Sequence, residues 1–209
     1  MKVVLDFDDF SVLRSRMDLF LKLKEHYPKL KVSLFTIPYD YQYEGSTLRI
    51  QREEALAIIH RNLDWMEIIP HGLLHIEREF EKCDRWTMKM ALQSIDETFR
   101  KDGLPYVKGF KAPYWLWNKD VVDVLDEEGW FGAVDKNNKN TLKTKKFYEY
   151  GYSIAEPFWL AKGEELLKLH GHMTLPSANN LEGCFLNLFK IPHDADFDFV
   201  SDHLEVKND

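Results

Sequence analysis

Cysteine is almost absent: Cys83 and Cys184 are the only two among 209 residues, far apart and in unlike surroundings. A disulfide framework is excluded, and a reduced, cytoplasmic chain is the simpler expectation. Long apolar runs are missing too. No stretch reaches the ~18 uninterrupted apolar residues that a membrane span needs. The opening MKVVLDFDDF reaches an acid at Asp6, so it does not read as a secretory signal. Positive charge is in deficit, with 28 Lys and Arg against 35 Asp and Glu and a net charge of −7. That balance argues against a nucleic-acid backbone or an anionic membrane surface as the main partner. What remains is a soluble globular composition, 44% hydrophobic and 30% charged, with neither repeat nor linker. The length suits one domain over residues 1–209 with a sizeable core. Oligomeric state is not legible.

Strands and helices alternate along the chain. Lys2 to Phe7 is a nearly continuous apolar run, as for a strand buried on both faces. A helical stripe follows from Val12 to His26, then a strand over Val32 to Ile37, then a loop carrying Tyr39, Tyr41 and Tyr43. Thr47 to Trp65 reads as a helix, and Ile68–Ile69 as a short strand. Arg85 to Lys101 has helical spacing of Met88, Leu92, Ile95 and Phe99, with Gly103 beyond its end. Val107 to Lys111 predicts a fourth strand, Asn118 caps a helix that Gly129 stops, and Phe131 to Val134 predicts a fifth. Residues 136–146 read as an exposed basic loop and Ser153 to Leu160 as a sixth strand. A further strand ends at His170 and His172, and a late one includes Phe197 to Phe199. This alternation implies a parallel sheet covered by helices, either open or rolled into a (β/α) barrel.

In such α/β folds chemistry gathers at the C-terminal ends of the strands. Here those ends carry Asp6, Asp8 and Asp9, then His71, Lys111, Asp135, and finally His170 and His172. Acids crowded at one mouth repel one another unless a cation lies among them. A solvated turn with Asp9 as a helix cap explains one acid and not three. His71 and His75 are four apart. If residues from Gly72 onward are helical, the two imidazoles share one face and can share one metal ion. Alone, the pair reads more readily as ordinary polar residues at a helix start.

Taken in order, these residues resemble the motifs of the polysaccharide deacetylases, carbohydrate esterase family four. Asp6-Phe7-Asp8-Asp9 is similar to the family's Thr-Phe-Asp-Asp, and His71-Gly72-Leu73-Leu74-His75 to its His-Ser/Thr-x-x-His. Lys111-Ala112-Pro113 resembles Arg-x-Pro, Asp135 the fourth-motif aspartate, and Lys168-Leu169-His170 the Leu-x-His motif. The resemblance spans residues 1 to 175 and implies a distorted or incomplete seven-stranded barrel. It also implies a metal-dependent deacetylase acting on a carbohydrate or glycoconjugate. By it, Asp9, His71 and His75 hold a divalent ion, zinc first, with cobalt, nickel or manganese as alternatives. Asp8 is the general base, Lys111 its clamp, and His170 or His172 the general acid, while Leu169 belongs to the acetyl pocket.

Two departures bear on activity. Gly72 replaces a hydroxyl residue, and Lys111 replaces an arginine, keeping the charge and losing the bidentate fork. Tyr114, Trp115 and Trp117 follow the fourth strand and suit the apolar faces of sugars. The rival readings are a deacetylase-like carbohydrate-binding module without turnover, and a metal hydrolase of another amide or ester.

Overall fold

One strand, β1 (Lys2–Phe10), carries the assembly, with eight of its nine residues buried. In the computed structural model the described residues are 1–13, 15–39, 46–135, 142–158, 165–173 and 181–207. After β1 come α1 (Met17–His26), β2 (Val32–Thr36), α2 (Ser46–His60), β3 (Met66–Pro70), α3 (Arg85–Lys101) and β4 (Gly109–Phe110). Then follow α4 (Lys119–Glu127), β5 (Phe131–Asp135), β6 (Lys146–Tyr150), β7 (Tyr152–Ser153) and β8 (Leu166–His172). The chain continues with α5 (Leu181–Leu188), β9 (Asp196–Asp198) and β10 (Glu205–Val206).

β1 pairs in parallel with β2 on one side and with β8 on the other, and β9 extends the β2 side at Lys2–Val4. The first sheet runs β3-β2-β1-β8-β7 and the second β10-β6-β5-β4. They meet twice. At one seam His71 bridges Lys111, and the Lys111 amide donates to the Pro70 carbonyl at 3.1 Å. At the other, β6 passes through Gly151 into β7, leaving the sheet of β5 for that of β8. A Cβ at Gly151 would lie 2.8 Å from the Lys168 carbonyl oxygen, so glycine permits this crossing. Parallel strands thus follow one another round an irregular ring: β1, β2, β3, β4, β5, the β6–β7 strand and β8. This is the distorted (β/α) barrel the resemblance implies. Burying an apolar side chain is worth about 1.5–3 kcal/mol, and the helices contribute such residues along one stripe. α4 buries Val121, Val122, Val124 and Leu125, with its first turn capped by Asn118 Oδ1 accepting from the Val121 amide at 3.1 Å.

Several boundaries differ from expectation, each for a local reason. α1 starts at Met17 rather than Val12, because Ser11 and Ser15 bond to each other ahead of it: Ser15 Oγ accepts from the Ser11 amide at 2.9 Å and the Ser15 amide donates to the Ser11 carbonyl at 3.1 Å. α2 stops at His60 rather than Trp65. There Asn62 turns its amide onto the Ile58 carbonyl and accepts from Trp65 Nε1. The sixth strand lies at Lys146–Ser153; its Lys-Phe-Tyr-Glu-Tyr run lacks polar–apolar alternation, and its basic flank disguised it as loop. Of the expected Ser153–Leu160, residues 154–158 are not strand and 159–160 lie outside the described residues. Phe158 is instead a core residue. α5 and β10 were not anticipated. Tyr41, Tyr43 and residues 136–141 lie outside the described residues. Among the described residues, no helix is long and apolar enough to cross a membrane.

Candidate active site

Two adjacent carboxylates can serve one mouth only if the strand breaks its alternation. β1 does so. Its register against β2 shifts between Phe7 and Phe10, and Asp9 takes a φ of 59°. This bulge turns Asp8 and Asp9 toward the same opening, each almost fully buried.

Asp9 Oδ1 lies 3.4 Å from His71 Nε2 and 2.8 Å from His75 Nε2. His71 stands at the end of β3, where its Nδ1–H donates to the Lys111 carbonyl at 3.0 Å. That bond fixes the tautomer and leaves the Nε2 lone pair facing Asp9. His75 does not arrive by a helix, the condition under which the four-residue spacing sets both imidazoles on one face. Residues 72–75 form a loop closed by Glu79, whose carboxylate accepts from the amides of Leu73, Leu74 and His75 at 3.2, 2.9 and 3.1 Å. His75 itself has a φ of 56°. Gly72 has a φ of +65°, and a Cβ there would stand 2.6 Å from Pro113 Cγ and 2.7 Å from Glu79 Oε2. The space a hydroxyl side chain would need is filled by the carboxylate that shapes this loop. Burial works against charge on His75, yet the Asp9 carboxylate outweighs it and raises the imidazole above its usual range.

The donor set suits a divalent ion. One carboxylate oxygen and two imidazole nitrogens, all within 4.8 Å of one another, are a common three-ligand set that leaves a coordination position open.

Beside this triad lies a second group. Asp8 Oδ1 accepts from Lys111 Nζ at 2.5 Å, and its Oδ2 is 3.5 Å from His170 Nε2 and 3.6 Å from His172 Nε2. Lys111 is 1% exposed, and its ammonium lies 3.7 Å from the centre of the Trp115 ring. Burial pushes the Asp8 carboxyl up, but Lys111 and the surrounding histidines more than compensate and hold it below its usual range. Lysine therefore does clamp this aspartate, through one hydrogen bond rather than a fork.

His170 is held from behind. Its Nδ1–H donates to Asp6 Oδ1 at 2.5 Å, Tyr148 donates to Asp6 Oδ2 at 3.0 Å, and Tyr150 stacks on the ring. Burial lowers the His170 pKa well below the ordinary histidine value, and Lys111 adds to the effect. Its Nε2 is buried with no hydrogen-bond partner, and it faces Asp8. Desolvation, the largest influence on Asp6, raises it to about 6.

Not every expected site residue gathers here. Asp135 ends β5 and accepts from the Tyr150 hydroxyl, so Asp6 rather than Asp135 is the carboxylate on His170. Leu169 is fully buried in the hydrophobic core, on the strand face opposite His170, and is not open to a substrate. Trp117 stacks on Phe110, and its Nε1 donates to the Leu142 carbonyl, a packing role away from the carboxylates. Tyr114 and Trp115 do line the mouth, at φ of 56° and 61°, with Tyr114 56% exposed and its ring 5.8 Å from that of His75. Asp6 was read as a strand-end acid without a role, and Tyr148 and Glu79 were not singled out. The signal for Asp6 was the aspartate standing in place of the family's threonine; Glu79 and Tyr148 gave none.

Solved structures share this fold at low identity. The chain aligns over 97% of its length with 89% of a family 4 acetyl xylan esterase from Clostridium thermocellum solved with a cobalt ion (12% identity, TM-score 0.60). Over 96% of its length it aligns with 86% of a peptidoglycan N-acetylglucosamine deacetylase (13% identity, TM-score 0.63). It also aligns over 96% of its length with 64% of a family 4 pseudoenzyme from Bacillus anthracis (10% identity, TM-score 0.62). No protein-family model and no curated protein matches the sequence. The chain has the fold of the carbohydrate esterase family 4 proteins.

Proposed function

We propose that this protein is a metal-dependent hydrolase that removes an acetyl, or related acyl, group from a carbohydrate or glycoconjugate. One observation carries the reading. A three-ligand set (Asp9, His71, His75) stands beside an anchored carboxylate and an unpartnered imidazole nitrogen, Asp8 and His170 Nε2, 3.5 Å apart. A cobalt-containing esterase and a deacetylase with the same fold support it.

Asp9, His71 and His75 would hold a divalent ion, which would supply Lewis acidity toward the acyl carbonyl and lower the pKa of a water toward about 7. Asp8, kept ionised by Lys111, accepts the proton of the attacking water. Asp8 Oδ2 faces His170 Nε2, which gives that proton a route to the imidazole. Asp6 stabilises the imidazolium that forms and fixes the tautomer, and His170 then protonates the leaving nitrogen or oxygen as the C–N or C–O bond breaks. His172, 40% exposed and without such an anchor, is the lesser candidate for that acid. The Tyr114 amide would donate to the acyl oxygen; its residue takes a left-handed φ of 56°, with its ring 5.8 Å from that of His75. Tyr114 and Trp115 offer ring faces to a sugar.

The test is acetate release from acetylated chitooligosaccharides and acetylated xylan, with zinc, cobalt, nickel or manganese added to chelator-stripped protein. Release that requires metal supports the reading. Binding of sugar without release under any metal would overturn it in favour of the non-catalytic module that a pseudoenzyme of this fold brings to mind.

A further inference from the structure

The His170-Gly171-His172 doublet exceeds what the reaction uses, since the proton route needs one histidine. Two residues apart on β8, both imidazoles point to one face. Their Nε2 atoms stand 3.5 and 3.6 Å from the same oxygen, Asp8 Oδ2. Ligand atoms 2.0–2.1 Å from one tetrahedral ion are separated by about 3.3–3.4 Å. We propose that Asp8, His170 and His172 form a second, weaker divalent-cation site, and that filling it switches the hydrolase off.

Three further observations support a site here. His170 Nε2 is a buried lone pair with no partner, aimed at Asp8. Its Nδ1–H is tied to the Asp6 carboxylate, the backing that orients a metal-ligating histidine and raises its basicity. His172 is 40% exposed, so an ion has an entry and room for water ligands. The charge balance sets the affinity. Asp6 and Asp8 supply two carboxylates, while the Lys111 ammonium on Asp8 Oδ1 repels a second cation. The site therefore fills after the Asp9 triad, at concentrations on the order of a hundredfold higher. An ion there occupies the base and the acid together, so inhibition follows from occupancy. That consequence rests on the deacetylase reading; binding itself does not.

The experiment is a titration of metal-stripped full-length protein with Co²⁺, following cobalt absorbance and the number of ions bound at equilibrium. Two binding steps are expected, and His172→Ala should keep the tight step while weakening the second at least about tenfold. Asp9→Ala should do the reverse. A single ion bound throughout, or an unaltered second step in His172→Ala, would overturn the proposal. In parallel, acetate release by the wild type should rise with the first equivalent and fall as the second step fills, with the fall displaced to higher Co²⁺ in His172→Ala. Release that stays level through the second step would overturn the switch. Absent release at one equivalent, with both binding steps present, would instead count against the deacetylase reading.

Discussion

Two triads of the same composition, one aspartate and two histidines each, lie side by side at the mouth of this barrel: Asp9 with His71 and His75, and Asp8 with His170 and His172. The histidine rings of each pair are 4.7 Å apart. They differ in what stands behind them. The first is backed through the main chain: the Lys111 carbonyl on His71, and the amides of Leu73, Leu74 and His75 gathered by the Glu79 carboxylate. The second is backed by charge: Lys111 on Asp8 and Asp6 on His170. On the proposed reading, identical ligand sets would thus acquire different duties from their neighbours, a cation holder in one case and a proton-transfer pair in the other.

The sharpest way to break the comparison is to strike each aspartate in turn. Asp8→Asn should retain bound metal and lose about 10²–10⁴-fold in turnover. Asp9→Asn should lose metal, with part of its activity restored by excess ion. Metal content and acetate release measured on both proteins decide it; an Asp8→Asn protein that comes back metal-free would reverse the two roles.

Removing Lys111 should make the triads alike. Lys111→Met leaves a buried carboxylate without its cation, a loss of about 3–5 kcal/mol in unfolding free energy. Excess divalent ion should restore much of that stability, since a ligand that binds only the folded state stabilises it. Urea midpoints with and without Co²⁺ test this. Lys111→Met/His172→Ala should keep only the stabilisation that filling the Asp9 triad supplies, and recovery equal to that of Lys111→Met would count against the difference drawn here.

Protonation separates the triads more gently. Folding raises Asp6 from 3.8 to about 6, so the folded chain binds a proton that the unfolded chain releases. This contribution to stability is complete below pH 3.8 and is lost as pH rises through about 6, amounting to no more than about 3 kcal/mol. Asp6→Asn should flatten the fall in urea midpoint between pH 4 and 7; an unchanged slope would place the titration elsewhere.

The smallest expected change is Gly72→Ala. A strained left-handed backbone costs about 1–3 kcal/mol, and the crowding against Glu79 concerns only the first triad. Its tight Co²⁺ step should weaken while the second step stays put, as read from the same absorbance titration.

The contrast also marks how far sequence carried. β1, β2, β3, α3, α4 and β5 were legible because apolar period and end signals agreed, as with Asn118 and Gly129 around α4. β6 was not, since Lys143, Lys145 and Lys146 beside it read as solvent-facing loop. Asp8, Asp9 and His71 were legible as strand-end residues, and His75 from its spacing to His71, all in motif order. The reason the histidines converge was not: it depends on Glu79 replacing helical hydrogen bonds. Nor was the partner of His170, because Asp6 meets it across a ladder between residues 164 apart in sequence. Spacing records what lies close along the chain, and pairing between β1 and β8 leaves no such record.

On the proposed reading, the bulge in β1 also sets how such a protein would lose its chemistry. A regular strand offers one face a side chain every second residue; this one offers two in succession, at the cost of a left-handed Asp9. Deleting one residue at the kink would let Phe10 keep its place beside Thr36 and the sheet its pairing. One of the two carboxylates would be gone, or turned into the core. Fold and chemistry here come apart at a single peptide unit, and an inert descendant of this chain would still assemble the same barrel.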